Sequence, residues 1–510
     1  MKRTMELSFI CKPELPPLAW AIVKDANSPV VKIIHGNAVE CRNNFFVAGV
    51  WESDFESGKF DEAYSLQGSG AKLSEDSTYL TICTSSNMQD AVFSVDKAEQ
   101  ILISNSLPFI MSLADISLNA DFYDYEYILN SSFFGQDKYS RKLPVCESDI
   151  RIWRRSHIKL MTNELMGGGR YPSSPVFKTF DQYCDLMLRT IDGIIENSKS
   201  SARKKAYGTV TTISRGYDAA CASALVRQLG CEKALTFSSP HKYEVDSGVD
   251  IARQLGFPQI IEGNGNSYQQ NTNLYEAESA AGGDVGCLVS LTAFEDHYRD
   301  SLFFLGLKGD CIWDKNASYA NSNFDFVHMS IAAEQNPEHF LNTNTIAINV
   351  PLILGDRWED IYKLSNSEEM QPYSVGGNYD RPVPRRIIES CGVPRAAFGF
   401  KKMGAGFTFR FEPTLRAAKK KMSPKSFESL KDFCAHRKHS KVKYIKSVAR
   451  YFIVNYPFYV AYIARALHIP YKMKEVKYIS SPMSELMIQW GIGMMKSRYS
   501  QALKKYSFPK

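Results

Sequence analysis

The alternation of hydrophobic and polar positions changes character twice along this chain. Up to about residue 150, apolar residues come in short β-branched or aromatic runs. NNFFVAGVW, TYLTICTSS, AVFSVD and QILISNS are separated by Ser, Asn, Asp and Gly, the punctuation expected between short strands. From about residue 179 the period becomes helical, as in FDQYCDLMLRTIDGIIENSKSS. YGTVTTIS, DAACASALVRQLG, KALTFSS, VDSGVDIARQLG and QIIEG then alternate strand-like and helix-like patterns. That alternation predicts a parallel sheet with crossover helices. Both predicted helices end at Leu-Gly, and glycine suits the left-handed position that closes a helix.

These changes divide the chain into a β-rich part (1–150), an α/β part (179–412) and a helical, basic C-terminal part (413–510). Residues 141–178, which include MGGGRYPSSPV, read as a linker.

Composition sharpens this division. A chain of 510 residues exceeds one compact core. With 44% hydrophobic and 23% charged residues it belongs to the globular class. A net charge of +6 is too small for this length to call for a nucleic-acid partner. The 11 cysteines form neither a CxxC pair nor a zinc-spaced cluster with histidine, which predicts reduced thiols in a cytoplasmic protein. The opening MKRTMELSFICKPELPPLAW lacks the apolar run of a signal peptide.

Residues 451–470, YFIVNYPFYVAYIARALHIP, are strongly apolar but are interrupted by Asn455, Pro457 and Arg465. They predict a packed amphipathic helix rather than a membrane span, with a membrane-surface helix as the alternative. Lys419–Lys421, Lys425, Lys431, Arg437, Lys438, Lys441, Lys443 and Lys446 concentrate nearby. They read as solvated helix faces, or as a surface for an acidic partner, membrane or nucleic acid.

One strand-to-helix turn carries more chemistry than a connector requires. TISRGYDAA ends a predicted parallel strand, where ligands of such sheets bind. It opens a helix whose free amides and dipole favour an anion. Ser214 supplies a hydroxyl and Gly216 allows close backbone approach. Asp218 would repel bare phosphate but suits a magnesium ion lying between carboxylate and phosphates. Helix capping alone also accounts for Ser and Asp here.

This turn resembles the Ser-Gly-Gly-x-Asp-Ser pyrophosphate loop of the ATP pyrophosphatase superfamily, which includes the asparagine synthetases. Ser214, Gly216 and Asp218 match it, whereas Arg215 replaces the first Gly and Ala219 the final Ser. SLFFLGLKGDCIWDK (301–315) resembles that family's Gly-x-Gly-x-Asp-Glu segment. Gly306 and Asp310 match, Lys308 stands at the second Gly with Gly309 beside it, and Cys311 stands at the Glu. FGFKKMGAGF (398–407) resembles its Arg-x-Lys-x-Gly-Phe segment through Lys402.

The resemblance spans about 180–410. It implies a Rossmann-like parallel-sheet ATP pyrophosphatase domain that binds ATP and Mg2+, with Asp218 and Asp310 as metal ligands. Ser214–Ala219 and Gly309 would hold the nucleotide, and Lys402 would face the leaving pyrophosphate. AVFSVDKAEQILISNSLPFIM, with its Ser104-Asn105 pair, resembles the glutaminase-type (αββα) domain that precedes it. That domain's N-terminal Cys nucleophile is missing. Position 2 is Lys2 and the nearest thiol is Cys11.

The implied chain is a glutaminase-deficient, AMP-forming ligase, similar to β-lactam synthetases and lasso-peptide cyclases. It would join a carboxylate and an amine of a small-molecule or peptide substrate, with a partner protein as one source of that substrate. Two other readings stay open, a decayed nucleotide-binding scaffold and a nucleic-acid-modifying member of the superfamily.

Overall fold

The computed structural model describes the chain except residues 1–3, 147, 163, 170, 239–245, 287, 319, 326–336, 400–413, 467–480 and 505–510, and the side chains of 458, 459, 461, 462, 465 and 466. Its first part holds β1 Glu6–Cys11, β2 Trp20–Asp25, β3 Val30–His35, β4 Glu40–Arg42, β5 Phe45–Val50, β6 Gln67–Leu73, β7 Leu80–Cys83, β8 Val92–Lys97 and β9 Gln100–Ser104. Helices α1 Leu107–Ala114, α2 Tyr125–Asn130 and α3 Gly135–Lys138 follow, then β10 Lys142–Pro144, β11 Asp149–Trp153, β12 His157–Leu160 and β13 Leu165–Gly169.

The strands form two sheets, ordered β1-β3-β2-β9-β8-β11-β10 and β13-β12-β7-β6-β5-β4. Pairing is antiparallel except between β1 and β3. Strand β5 shows why its sequence is continuously apolar. Phe46, Ala48 and Val50 face the main core, while the alternate Phe45 and Val47 join Trp51, Phe55 and Phe60 in a second cluster. A strand buried on both faces has no polar side to alternate.

The Ser104-Asn105 pair ties β9 to β2. Ser104 donates to the Trp20 carbonyl at 2.8 Å, and the Asn105 amide oxygen accepts from the Trp20 N–H at 2.9 Å.

The expected linker at 141–178 is not one. Its residues supply β10–β13, which complete both sheets. Of the three glycines that suggested flexibility, Gly167 and Gly169 are closely packed, while Gly168 has open space and φ of +124°. A Cβ on Gly167 would lie 2.0 Å from the Trp153 ring.

The second part contains α4 Phe180–Lys199, β14 Gly208–Thr212, α5 Tyr217–Gln228, β15 Lys233–Phe237, α6 Val249–Gln254, β16 Gln259–Gly263, α7 Tyr275–Ala281 and α8 Glu295–Tyr298. It continues with β17 Ser301–Leu305, α9 Gly309–Ile312, α10 Pro337–Thr343, β18 Ile346–Asn349, α11 Trp358–Ser365 and α12 Pro382–Ser390. All neighbouring strands here are parallel, in the order β16-β15-β14-β17-β18. Gly230 and Gly256, beyond α5 and α6, take φ of +87° and +74°, the left-handed closure expected of Leu-Gly.

The C-terminal part holds α13 Leu415–Ala418, α14 Pro424–His436, α15 Lys441–Ala466 and α16 Pro482–Lys504. Its helical character matches the sequence, but α16 is not a solvated appendage. Trp490, Met487 and Ile488 are fully buried. The Glu485 carboxylate accepts the Tyr125 and Glu126 amides at 2.9 and 3.1 Å, capping α2 in the first part. The last helix therefore belongs to the core.

Candidate functional site

The order of the parallel sheet fixes where a ligand can sit. From β14 the chain moves outward to β15 and β16, then returns to the other side for β17 and β18. The reversal lies between β14 and β17, and crevices at the carboxyl ends of such strands are the binding positions of open parallel sheets. The turns after these two strands are 213–216 and 306–308. Pairing of β14 with β17 thus brings together the two segments singled out in the sequence.

Two glycines permit the approach. A Cβ on Gly306 would lie 2.4 Å from the Asp218 carbonyl carbon and 2.5 Å from the Ala219 nitrogen. One on Gly309 would lie 2.4 Å from Asp218 Oδ1. No side chain fits at either place without moving the opposite turn.

Gly216 caps α5 in an extended conformation, and its N–H donates to Ser214 Oγ at 3.2 Å. The Tyr217 amide reaches the Tyr379 hydroxyl at 3.4 Å. Ser214 also bridges Ser247. Arg215 is held through its backbone, its N–H donating to the Asp246 carbonyl at 3.4 Å and its carbonyl accepting from Gly399 at 2.9 Å. Its guanidinium pairs with Asp250 Oδ2 of α6 at 3.3 Å. Arg215 thus lines an open pocket with Asp250, Arg253 and Gln254.

Asp218 pairs with Arg381, whose side chain is only 1% exposed and stacks 4.9 Å from the Tyr379 ring centre. Burial opposes the charge of Arg381, but Asp218, then Tyr379 and Asp310, raise its pKa above the ordinary arginine value. Its Nε has no hydrogen-bond partner. Burial, then the Asp218 charge, push the Tyr379 hydroxyl up to about 12. Arg385 bonds the Tyr217 hydroxyl and pairs with Glu389, one turn on in the same helix, at 3.4 Å. Arg386 turns instead to Glu369 at 3.0 Å.

On the second turn, Lys308 stands where the resemblance places glycine, and it adopts φ of +69°. That is the left-handed region, which glycine enters without strain. Its ammonium lies 3.7 Å from the Phe133 ring centre, so the first part of the chain grips this turn. Cys311 is buried, and its thiol faces Asp310 Oδ1 at 3.6 Å. Trp313 is buried and donates to the Tyr183 hydroxyl at 2.8 Å. The ends of β17 and β18 also line a cavity of about 100 Å3, with Leu305 and Asn349 facing Leu18, Ala48 and Phe93 of the first part.

The structure therefore joins Ser214, Gly216, Asp218, Ala219 and Gly309 in one place, with Asp310 close enough to act on Arg381. Lys402 lies outside the described residues. Among the described residues no group of three or more Asp, Glu, His or Cys gathers as a metal cage. Magnesium takes only one or two protein carboxylates, with phosphate and water completing its shell.

Arg381 was visible in the sequence only as one of a basic run. Its partner is 163 positions away, and no local pattern announces that. A scan of the chain against protein-family models finds no match, and neither does a search of curated proteins.

Proposed function

We propose that this chain is an ATP-dependent, AMP-forming ligase of the asparagine synthetase type, without glutaminase activity of its own. The observation that carries the reading is the meeting of two predicted phosphate-binding turns at the reversal of a parallel sheet. They lie about 90 residues apart in sequence and approach through Gly306 and Gly309.

On this reading the α5 N-terminus, Ser214 and Gly216 receive the nucleotide phosphates, since free amides and the helix dipole favour an anion. Asp218 and Asp310 would hold magnesium, which would supply charge neutralisation for the departing pyrophosphate. Arg381 keeps Asp218 oriented, and its unpartnered Nε–H is a further donor buried at the site. Lys402 acts on the pyrophosphate from the 398–407 segment. A substrate carboxylate oxygen attacks the α-phosphorus, the bond from that phosphorus to the bridging oxygen breaks, and pyrophosphate leaves. An amine nitrogen then attacks the acyl carbon, the carbon–oxygen bond to AMP breaks, and the amine proton is released.

The two antiparallel-rich sheets of the first part support a relic of a glutaminase-like domain. The first part of the chain would contribute the Phe133 contact and substrate recognition.

One observation favours a second reading, a nucleotide-binding scaffold without turnover. Cys311 replaces the expected carboxylate and directs only a thiol at Asp310. Incubation with Mg·ATP, hydroxylamine and pooled carboxylic acids separates the two. Pyrophosphate and AMP released in equal amounts, with hydroxamate formed, support the ligase. ATP left intact with every acid supports the scaffold, and ADP with phosphate contradicts both.

A further inference from the structure

Helix α15 was expected to pack its apolar residues inward, and it does so on one side only. Tyr451 and Asn455 are buried, and the helix is moored to the first part of the chain. Arg450 pairs with Asp124 at 2.9 Å and Lys443 with Asp121 at 3.5 Å. The opposite side is also apolar. Val442, Ile445, Ile453, Tyr456 and Ile463 face outward, with Ile453 74% and Ile445 64% exposed. Spacings of three, eight, three and seven residues keep these positions on one face of the 26-residue helix. At 1.5 Å per residue the stripe from Val442 to Ile463 runs for roughly 32 Å.

Its charge pattern selects the occupant. Residues 441–466 contain no Asp or Glu. Lys441 and Lys446 border the stripe, whereas Lys443 and Arg450 are taken up by Asp121 and Asp124. A second copy laid against this face would set lysine beside lysine, since the neighbouring acids are already paired. A surface of anionic headgroups over hydrocarbon complements both features, since basic residues gain charge attraction while the apolar face is buried. No described helix is long and apolar enough to cross a membrane, so the contact would lie flat.

We propose that α15 docks this protein on an anionic lipid surface, its Val442–Ile463 stripe entering the boundary between headgroups and acyl chains. The proposal is independent of the nucleotide reading.

The test is flotation of the full chain with vesicles of phosphatidylcholine alone and of phosphatidylcholine mixed equally with phosphatidylglycerol. Two double variants are compared, Ile445→Glu with Ile453→Glu, and Lys441→Glu with Lys446→Glu. All four positions are exposed, so the fold is expected to survive, and circular dichroism melting checks this. The intact chain should float with anionic vesicles, less so as salt rises, and remain behind with neutral ones. Each double variant should partition at least tenfold more weakly, since each basic residue near such a surface contributes about 1 kcal/mol. Equal recovery with both vesicle types, or unchanged flotation of the folded variants, overturns the proposal. So does concentration-dependent dimerisation of the intact chain that Ile453→Glu abolishes, because the face would then be a protein interface.

Discussion

Lys308 offers the most discriminating test of the turn geometry, through a comparison that inverts the usual order of alanine and glycine. Lys308→Ala and Lys308→Gly both remove the ammonium that lies 3.7 Å from the Phe133 ring centre. Whatever that contact contributes cancels between them, and only the backbone differs. At φ of +69° alanine retains a left-handed strain of roughly 1–2 kcal/mol, because its Cβ crowds the following carbonyl. Glycine escapes that strain but has more freedom to lose on folding, about 0.5–1 kcal/mol. The difference favours glycine by about 0.5–1 kcal/mol. Urea unfolding followed by fluorescence should place the Lys308→Gly midpoint above that of Lys308→Ala. An alanine variant at least as stable as the glycine variant would refute the left-handed turn, and with it the physical basis for matching Lys308 to a motif glycine.

Three further outcomes follow from the same site and its surroundings. Asp218→Asn leaves the buried Arg381 without its nearest counter-charge, with only Asp310 still acting on it, and should cost about 3 kcal/mol in urea unfolding, most of it recovered by adding Arg381→Met. Gly306→Ala presses on backbone atoms of Asp218 and Ala219, whereas Gly309→Ala presses on a side chain. Gly306→Ala should therefore lower the unfolding midpoint more, by an overpacking cost of about 1–3 kcal/mol, and equal midpoints would contradict the close approach. Burial pushes the Glu338 carboxyl up to about 7, against hydrogen bonds from Ser106 and Tyr499. The folded state then holds a proton that the unfolded state releases near its ordinary value, so Glu338 makes stability fall as pH rises from about 4.5 to 7 and stay level above. Melting temperatures of Glu338→Gln across that window should decline less steeply than those of the parent chain.

The legible parts of the fold were those with a local cause. Strands β14–β16 and helix α5 follow from the switch between periods of two and 3.6, and Gly230 and Gly256 marked the helix ends. The meeting of Asp218 with Gly309 was legible as two motifs but not as a contact, because it depends on β17 pairing beside β14. Strand β13 was hidden by its glycines, of which Gly167 packs against the Trp153 ring, where composition suggests a linker. Helix α16 was grouped with the basic C-terminal part because the lysines of 419–446 dominate the composition there, and its burial against the first part depends on contacts far away in sequence. Arg381 was illegible as a partner of Asp218, since a buried ion pair across 163 positions leaves no trace in either segment. Lys308 read as a departure from glycine, yet the backbone there is the one glycine prefers.

The central claim is that the two turns at the strand reversal form a magnesium-dependent ATP site, and calorimetric titration tests it most directly. A non-hydrolysable ATP analogue would be titrated into the intact chain with and without magnesium, and into Asp310→Asn, which leaves the Asp218–Arg381 pair in place. Saturable binding that requires magnesium and is lost in Asp310→Asn is the predicted result. No binding to the folded, intact chain, or binding indifferent to both magnesium and Asp310, would contradict the claim.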